Sequence, residues 1–390
     1  MTQQAIEQPG ETVRVPWTLW IGLALWGVAH ALLWVDVMQR GGVLMPYDVV
    51  TFDELPEPVG RIEQAGRWMA VNVTPVCWLA YLLVADGALT WLARRRAQPQ
   101  LSSIRSRPNR FAIAWLTSIP VWCFFDWINF YWMDAWRYHG LPDVFTQRLL
   151  GYFLAFAAIS PGMFMAAQFW QQMGLRRLRL AGPAPTAAWA LTLGPPTVIV
   201  TVVMTLLLAG RGVAGPLDSQ AFAVVTAGVL VGPAAAALLW RQPRETVAVL
   251  IGLSFLAWTL IARDPLSNLT LWVGLIYLLD PLNGRLGMPS LLRDWGAGRF
   301  GRTAALFAGG ATCGLLWELW NYWALTKWTY HLPFLGRLEQ WSYFEMPLLG
   351  FLGFLPFAAE CWVVLNTILA GFAWLGLRVA ERLPDEEAMF

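Results

Sequence analysis

Two carboxylates sit in apolar sequence with the same companions at the same spacing. The first belongs to Phe125-Asp126-Trp127-Ile128-Asn129-Phe130-Tyr131, followed by Trp136-Arg137-Tyr138-His139. The second belongs to Trp317-Glu318-Leu319-Trp320-Asn321-Tyr322-Trp323, followed by Trp328-Thr329-Tyr330-His331. Acid, Asn, Trp, Tyr and His each lie 192 positions from their counterparts, and only the acid differs, Asp against Glu. Two of the chain's three histidines fall in this register, so the sequence reads as an internal duplication.

An ionisable side chain inside a membrane segment is costly to bury and is a functional-site hypothesis by default. On a helix, positions i, i+3, i+7 and i+10 share one stripe. Asp126, Asn129, Met133 and Trp136 have that spacing, as do Glu318, Asn321, Leu325 and Trp328. Each copy is expected to present acid, amide and indole down one inward face. Packed about a local twofold, Asp126 and Glu318 would approach each other, and two carboxylates sharing a low-dielectric site divide into an acid and a base. That arrangement suits proton transfer.

The second copy holds further ionisable groups. Glu345-Met346-Pro347 is expected to open the last span, with Pro347 in its first turn. Pro356 interrupts that span and Glu360 follows it, which reads as a cavity wall. Lys327, the only lysine, is placed to neutralise one of these acids. The catalytic candidates are therefore Asp126 and Glu318, with Glu360 or Glu345 as a second choice. The ligand-binding candidates are Asn129, Trp136, Tyr138, His139, Asn321, Lys327, Trp328, Tyr330 and His331. The first copy has Pro161 and Gly162 but no glutamate there, with Asp134, Arg137 and Arg148 nearer the interface, so the site is expected to be asymmetric. A structural alternative stands beside this one: aromatic-rich helix ends anchor bundles at the headgroups, and the acids are then satisfied by amide or indole donors.

The elements that must position these residues follow from composition. Hydrophobic residues make up 57% of the chain and charged residues 13%, against roughly 25% charged in globular domains. Apolar runs recur at the length that crosses roughly 30 Å of hydrocarbon. The expected fold is all-α, a polytopic membrane helix bundle with about ten spans: 17–38, 68–93, 111–135, 149–172, 186–209, 219–240, 245–262, 268–282, 303–325 and 347–376. Motif copy one occupies 111–172 and copy two 303–376, between a polar N-terminus (1–16) and a C-terminal tail (377–390). The motifs are six spans apart, so they share one orientation, unlike the inverted repeats of many carriers. Similarity is confined to two spans in each copy.

Arginines cluster in the connections 94–110, 173–185, 241–244 and 283–302, which places these and both termini on the cytoplasmic side. The duplicated Trp-x-Tyr-His ends then face the opposite side. The polar start lacks a basic region and cleavage site, so the first span is read as retained, and an inner (cytoplasmic) membrane is the expected location. The loop 39–67, with Asp48, Asp53, Glu54, Glu57 and Glu63, reads as a solvated cap with room for a lid or a partner contact.

Other chemistries find little support. A net charge of +2 is too small to imply nucleic-acid binding. Cys77, Cys123, Cys313 and Cys361 lie singly in apolar segments and read as small buried hydrophobes. His30, with Asp36 nearby, reads as a satisfied interior histidine. Two histidines with carboxylates would suit a non-haem iron or zinc ion, but neither sits in a ligand-spaced cluster, and no metal is assigned. P-loop, dinucleotide and nucleophile-elbow motifs are missing, as is an Asp-rich repeat. No cofactor is specified. The leading expectation is an enzyme acting on a lipid or isoprenoid by carboxylate acid/base chemistry. The alternatives are a non-catalytic subunit holding a pigment, quinone or lipid in a larger membrane complex, and a proton-coupled carrier.

Overall fold

The computed structural model describes residues 14–42, 55–96, 103–179, 192, 244–263, 265, 267–377 and 389. Within these the chain is all-α apart from two short antiparallel strand pairs and one isolated bridge. The helices are α1 (Trp17–Gln39), α2 (Arg61–Arg95), α3 (Pro108–Ile128), α4 (Phe145–Gln172), α5 (Arg244–Ala262), α6 (Ser267–Arg285), α7 (Leu291–Gly296), α8 (Gly301–Trp323) and α9 (Phe351–Trp374). The strands are β1 (Trp136–His139), β2 (Lys327–Tyr330), β3 (Ser342–Tyr343) and β4 (Met346–Pro347).

Six helices are long and apolar enough to cross a membrane: Trp17–Gln39, Arg61–Arg95, Pro108–Met133, Phe145–Gln172, Arg244–Ile261 and Leu348–Trp374. They mark a membrane protein. Helices α6 and α8 occupy the spans expected at 268–282 and 303–325, but they carry Asp280, Asn283, Glu318 and Asn321 and are not among the six. The spans expected at 186–209 and 219–240 lie outside the described residues, as do Asp48, Asp53 and Glu54 of the early loop. Glu57 and Glu63 are described: the Glu57 carbonyl accepts from Gln39, and Glu63 accepts from the backbone N–H of Val59 and Gly60 at the start of α2.

The arginine-bearing connections gather at one end of the bundle. There Asp86 of α2 accepts from Thr18 of α1 and pairs with Arg105 before α3. Arg96 reaches the Gln172 carbonyl at the end of α4, and Phe300 N donates to Leu178 O. Asp280 caps α7 through the backbone N–H groups of Leu291 and Leu292 at 2.8 and 2.9 Å. Asp294 of α7 pairs with Arg299 and Arg302, and Arg244 reaches Leu292 O. Low-dielectric surroundings make an unpaired charge costly, so each of these acids sits among donors.

Small residues set the helix spacing, as is usual where apolar lipid gives no hydrophobic drive between helices. Helix α8 packs between α4 and α9. A Cβ on Gly309 would meet Met163 O at 2.6 Å, and one on Gly310 would meet Phe354 O at 2.1 Å. Gly310→Leu is therefore expected to push α8 from α9 and cost about 3 kcal/mol, read as a lowered Tm in detergent, whereas Leu315→Ala on the exposed side of α8 should change Tm little.

Pro347 does not enter the first turn of α9: it is extended, in β4, and a short 3₁₀ turn over Leu348–Gly350 precedes the helix. Cys77, Cys313 and Cys361 are buried, but Cys123 is exposed on the outer face of α3. His30 hydrogen-bonds the Trp26 carbonyl of its own helix at 2.9 Å. Asp36 serves Arg40 and Arg67 instead, at 2.7 and 2.6 Å, and Arg40 in turn reaches the Trp323 carbonyl at the end of α8.

Candidate binding chamber

The helical stripe expected through Trp136 and Trp328 does not form, because each helix stops before its Trp. After α3 the chain makes one π turn over Asn129–Met133, and Asp134 then adopts a left-handed conformation (φ 49°) that starts β1. Aspartate tolerates that region better than bulkier residues do. The Arg137 guanidinium, hydrogen-bonded to Asp134, holds its carboxyl below the usual range. In the second copy α8 ends at Trp323 and β2 follows after a short bend.

The two strands pair with each other, antiparallel, with Trp136 opposite Tyr330, Arg137 opposite Thr329, Tyr138 opposite Trp328 and His139 opposite Lys327. Exchanging each residue for its counterpart 192 positions away turns the Trp136–Tyr330 pair into the Trp328–Tyr138 pair. Arg137 and Thr329, themselves counterparts, mark the centre. His331 N donating to Ala135 O at 2.8 Å extends the same relation. The ladder thus joins the two motifs about a local twofold.

The asparagines tie helix to strand alike in both copies. Asn129 Nδ2 donates to Trp136 O (2.7 Å) and its Oδ1 accepts from Trp136 N (3.2 Å). Asn321 Nδ2 donates to Trp328 O (2.8 Å) and its Oδ1 accepts from Trp328 N (2.9 Å). An amide offers both the donor and the acceptor that a strand leaving a helix end requires.

The acids do not come together. Asp126 Oδ1 accepts from Trp136 Nε1 and Tyr138 Oη, both at 3.0 Å. Glu318 Oε1 accepts from Tyr330 Oη (2.6 Å) and Trp317 Nε1 (2.8 Å), while Trp328 Nε1 donates to Tyr330 Oη (2.8 Å). Each carboxylate is engaged within its own copy, and the shared acid/base pair is not formed.

The other candidates scatter. Lys327 and Glu345 form a buried ion pair at 2.6 Å, and Lys327 also donates to Tyr322 O at 3.0 Å. Burial pulls the lysine below its ordinary value, an effect opposed by Glu345. Glu345 is thus already engaged rather than poised for catalysis. Glu345→Gln should cost about 3 kcal/mol by leaving a buried ammonium without its counterion, and the double variant Lys327→Met/Glu345→Leu should recover most of the lost Tm. His139 Nε2 lies 2.8 Å from Thr329 Oγ1, whereas His331 is exposed. Glu360 is fully buried on α9 but does not line the cavity its proline break suggested. Neither of its oxygens has a hydrogen-bonded N–H or O–H among the described residues, and the Cys361 thiol lies beside it. Among the described residues no three His, Cys, Asp or Glu side chains converge as a metal site.

What the ladder does build is a cavity of ≈ 260 Å³. Trp136 and Tyr138 from β1 and Trp328 and Tyr330 from β2 face it, and Trp78, Trp122, Phe156, Trp317, Phe354 and Phe357 continue the wall. Rings meet at steep angles: Trp317 crosses Trp122 at 85°, Trp328 at 87° and Phe354 at 86°. Trp122 stacks on Trp136 at 26° and donates to Tyr138 Oη at 3.3 Å. Leu349 and Leu352 line the cavity and are 43% and 58% exposed, so it opens sideways at the start of α9. Asp126 and Glu318 stand behind the aromatic wall and are not part of the lining.

The two copies differ where the wall needs it. The counterpart of Trp122 is Gly314, where a Cβ would lie 2.4 Å from the Phe354 ring. One ring thus takes the place of another. Of the expected ligand residues, Trp136, Tyr138, Trp328 and Tyr330 are brought together; Asn129, Asn321 and Lys327 support them, and the histidines take no part in the lining. Trp122, Trp272 and Asn268 are the residues that sequence reasoning missed. Trp122 lies one turn before Asp126, and Asn268 and Trp272 lie one turn apart on α6, so helical spacing was the available signal.

No known protein family, no characterised protein and no solved structure matches the chain.

Proposed function

We propose that the protein is a membrane-embedded receptor for a long apolar molecule of the lipid or isoprenoid class, held in the aromatic chamber under the β1–β2 ladder. The observation that carries this reading is the lining itself: among the described residues no charged side chain faces the cavity, and the two buried acids are spent fixing the tyrosines and tryptophans that do. Apolar walls with a few placed polar groups are the usual make-up of small-molecule sites. The side opening at Leu349 and Leu352 lets the molecule enter from the bilayer.

In this reading the motifs are a parallel duplication, supported by the twofold relation of the ladder and the matching asparagine ties. Ten spans, with the arginine-rich end and both termini cytoplasmic, put the chamber near the outer leaflet of the inner membrane. A place in a larger complex that uses the bound molecule fits the same design.

The test is mass spectrometry of the extract from protein purified in mild detergent. A stoichiometric apolar compound, lost on Trp136→Ala and Trp328→Ala, is expected. Protein free of any such compound, and unable to take one up from vesicles, would sink the reading.

One observation favours a second, enzymatic reading: each chamber-facing tyrosine hydroxyl donates to a buried carboxylate, which is a path for a proton between cavity and acid. Tyr138→Phe and Tyr330→Phe would then abolish turnover of a bound molecule while leaving it bound. Unchanged bound compound after prolonged incubation with the wild type would exclude turnover.

A further inference from the structure

Three polar atoms of the chamber's lining residues are buried without a hydrogen-bond partner among the described residues: Thr74 Oγ1 on α2, and Asn268 Oδ1 and Trp272 Nε1 on α6. The last two stand one helical turn apart and so share a face. Asn268 is only 7% exposed, and its Nδ2 donates to Pro265 O at 3.2 Å. Because that carbonyl can only accept, the amide's orientation is fixed and its oxygen is left as an acceptor. An indole nitrogen can only donate. One turn apart on one face of α6, then, stand one unmet acceptor and one unmet donor, with Thr74 Oγ1 across from them on α2 in a wall mostly of rings and aliphatic groups.

Resting on the chamber reading, we infer that the bound molecule carries one uncharged hydroxyl at its end: a long-chain alcohol whose oxygen accepts from Trp272 Nε1 and whose proton goes to Asn268 Oδ1. Alternatives meet this pair less well. A quinone or ester carbonyl satisfies the indole and leaves Asn268 Oδ1 unmet. A carboxylate or phosphate sets oxygens against that amide oxygen, and none of the lining residues is a cation. Leaving one buried polar atom unpaired costs about 1–3 kcal/mol, or roughly 10- to 100-fold in affinity. The chain of the alcohol lies along Trp122, Phe156 and Phe357.

The test compares four probes of equal chain length on the full protein in nanodiscs: the alcohol, its methyl ether, the carboxylic acid and the parent hydrocarbon. The alcohol is expected to bind at least tenfold more tightly than the ether and the acid. Trp272→Phe and Asn268→Leu should each remove about tenfold from the alcohol and leave the hydrocarbon unchanged, which also reports that the variant's chamber is intact. Equal binding of alcohol and ether would overturn the assignment of the end group and leave the chamber standing. So would preference for the acid, or variants that weaken every probe alike. Failure of all four probes on the wild type would overturn the chamber reading as well.

Discussion

Glu318→Ala should lower stability by about 4 kcal/mol and empty the chamber, whereas Glu318→Gln should do neither. The alanine leaves the Tyr330 hydroxyl without its acceptor and Trp317 Nε1 with only its longer bond to Tyr330 Oη at 3.2 Å. Each unsatisfied buried donor costs about 1–3 kcal/mol, and the removed side chain leaves a void behind Trp317. Glutamine keeps an oxygen where Oε1 stands and removes a charge that was costly to desolvate, so the rings it fixes stay in place. Asp126→Ala should act likewise through Trp136 and Tyr138. Thermal unfolding in detergent gives the stability change, and retention of the bound compound gives the second readout. Should the amide variants lose the compound as fully as the alanines, the carboxylate charge itself would be what the ligand needs. Should they retain it unaltered where the wild type converts it, the tyrosine–carboxylate path would be catalytic.

That distinction shows how far sequence reading reached. The register of acid, Asn, Trp, Tyr and His singled out two segments that meet in space, because the β1–β2 ladder pairs them. How they are placed is where periodicity misleads. Trp136-Arg137-Tyr138 and Trp328-Thr329-Tyr330 fit a helical stripe from the acid, yet they also alternate, inward ring and outward polar group, as a strand does. In the first copy Asp134 decides between the two, since a left-handed residue turns the chain into the strand, and in the second the extended Ala324 does the same. A two-stranded ladder between segments nearly two hundred residues apart has no local signature; only the complementarity of Trp136 with Tyr330 and Tyr138 with Trp328 hints at it. Helix positions were far more legible: α1 to α6, α8 and α9 each coincide with an expected span, and for six of them apolar length is the reason. Their ends were not, since α2 and α4 run beyond the apolar core and α9 starts after a strand and a 3₁₀ turn.

The wall can also be altered from the ring side, where the expected loss is larger. Trp122 touches rings of both copies: it stacks on Trp136, crosses Trp317 and packs on Phe125, Phe156 and Phe357. Trp122→Ala removes all five ring contacts and the donor to Tyr138 Oη. Core Trp→Ala changes cost about 3–5 kcal/mol, and this one belongs at the top of that range because the freed hydroxyl is buried too. Affinity for the apolar compound should fall at least about 100-fold, the equivalent of roughly 3 kcal/mol. The opposite change isolates binding from folding. Ala155 lines the same cavity from α4, and Ala155→Trp puts a ring into the ≈ 260 Å³ void. Filling a void regains packing that an empty one forfeits, so the ligand-free protein should unfold no lower than wild type while the compound is excluded. A folded Ala155→Trp protein that still binds at wild-type strength would mean that the molecule sits elsewhere. A Trp122→Ala protein that loses stability but not its ligand would leave the ring cluster as architecture alone.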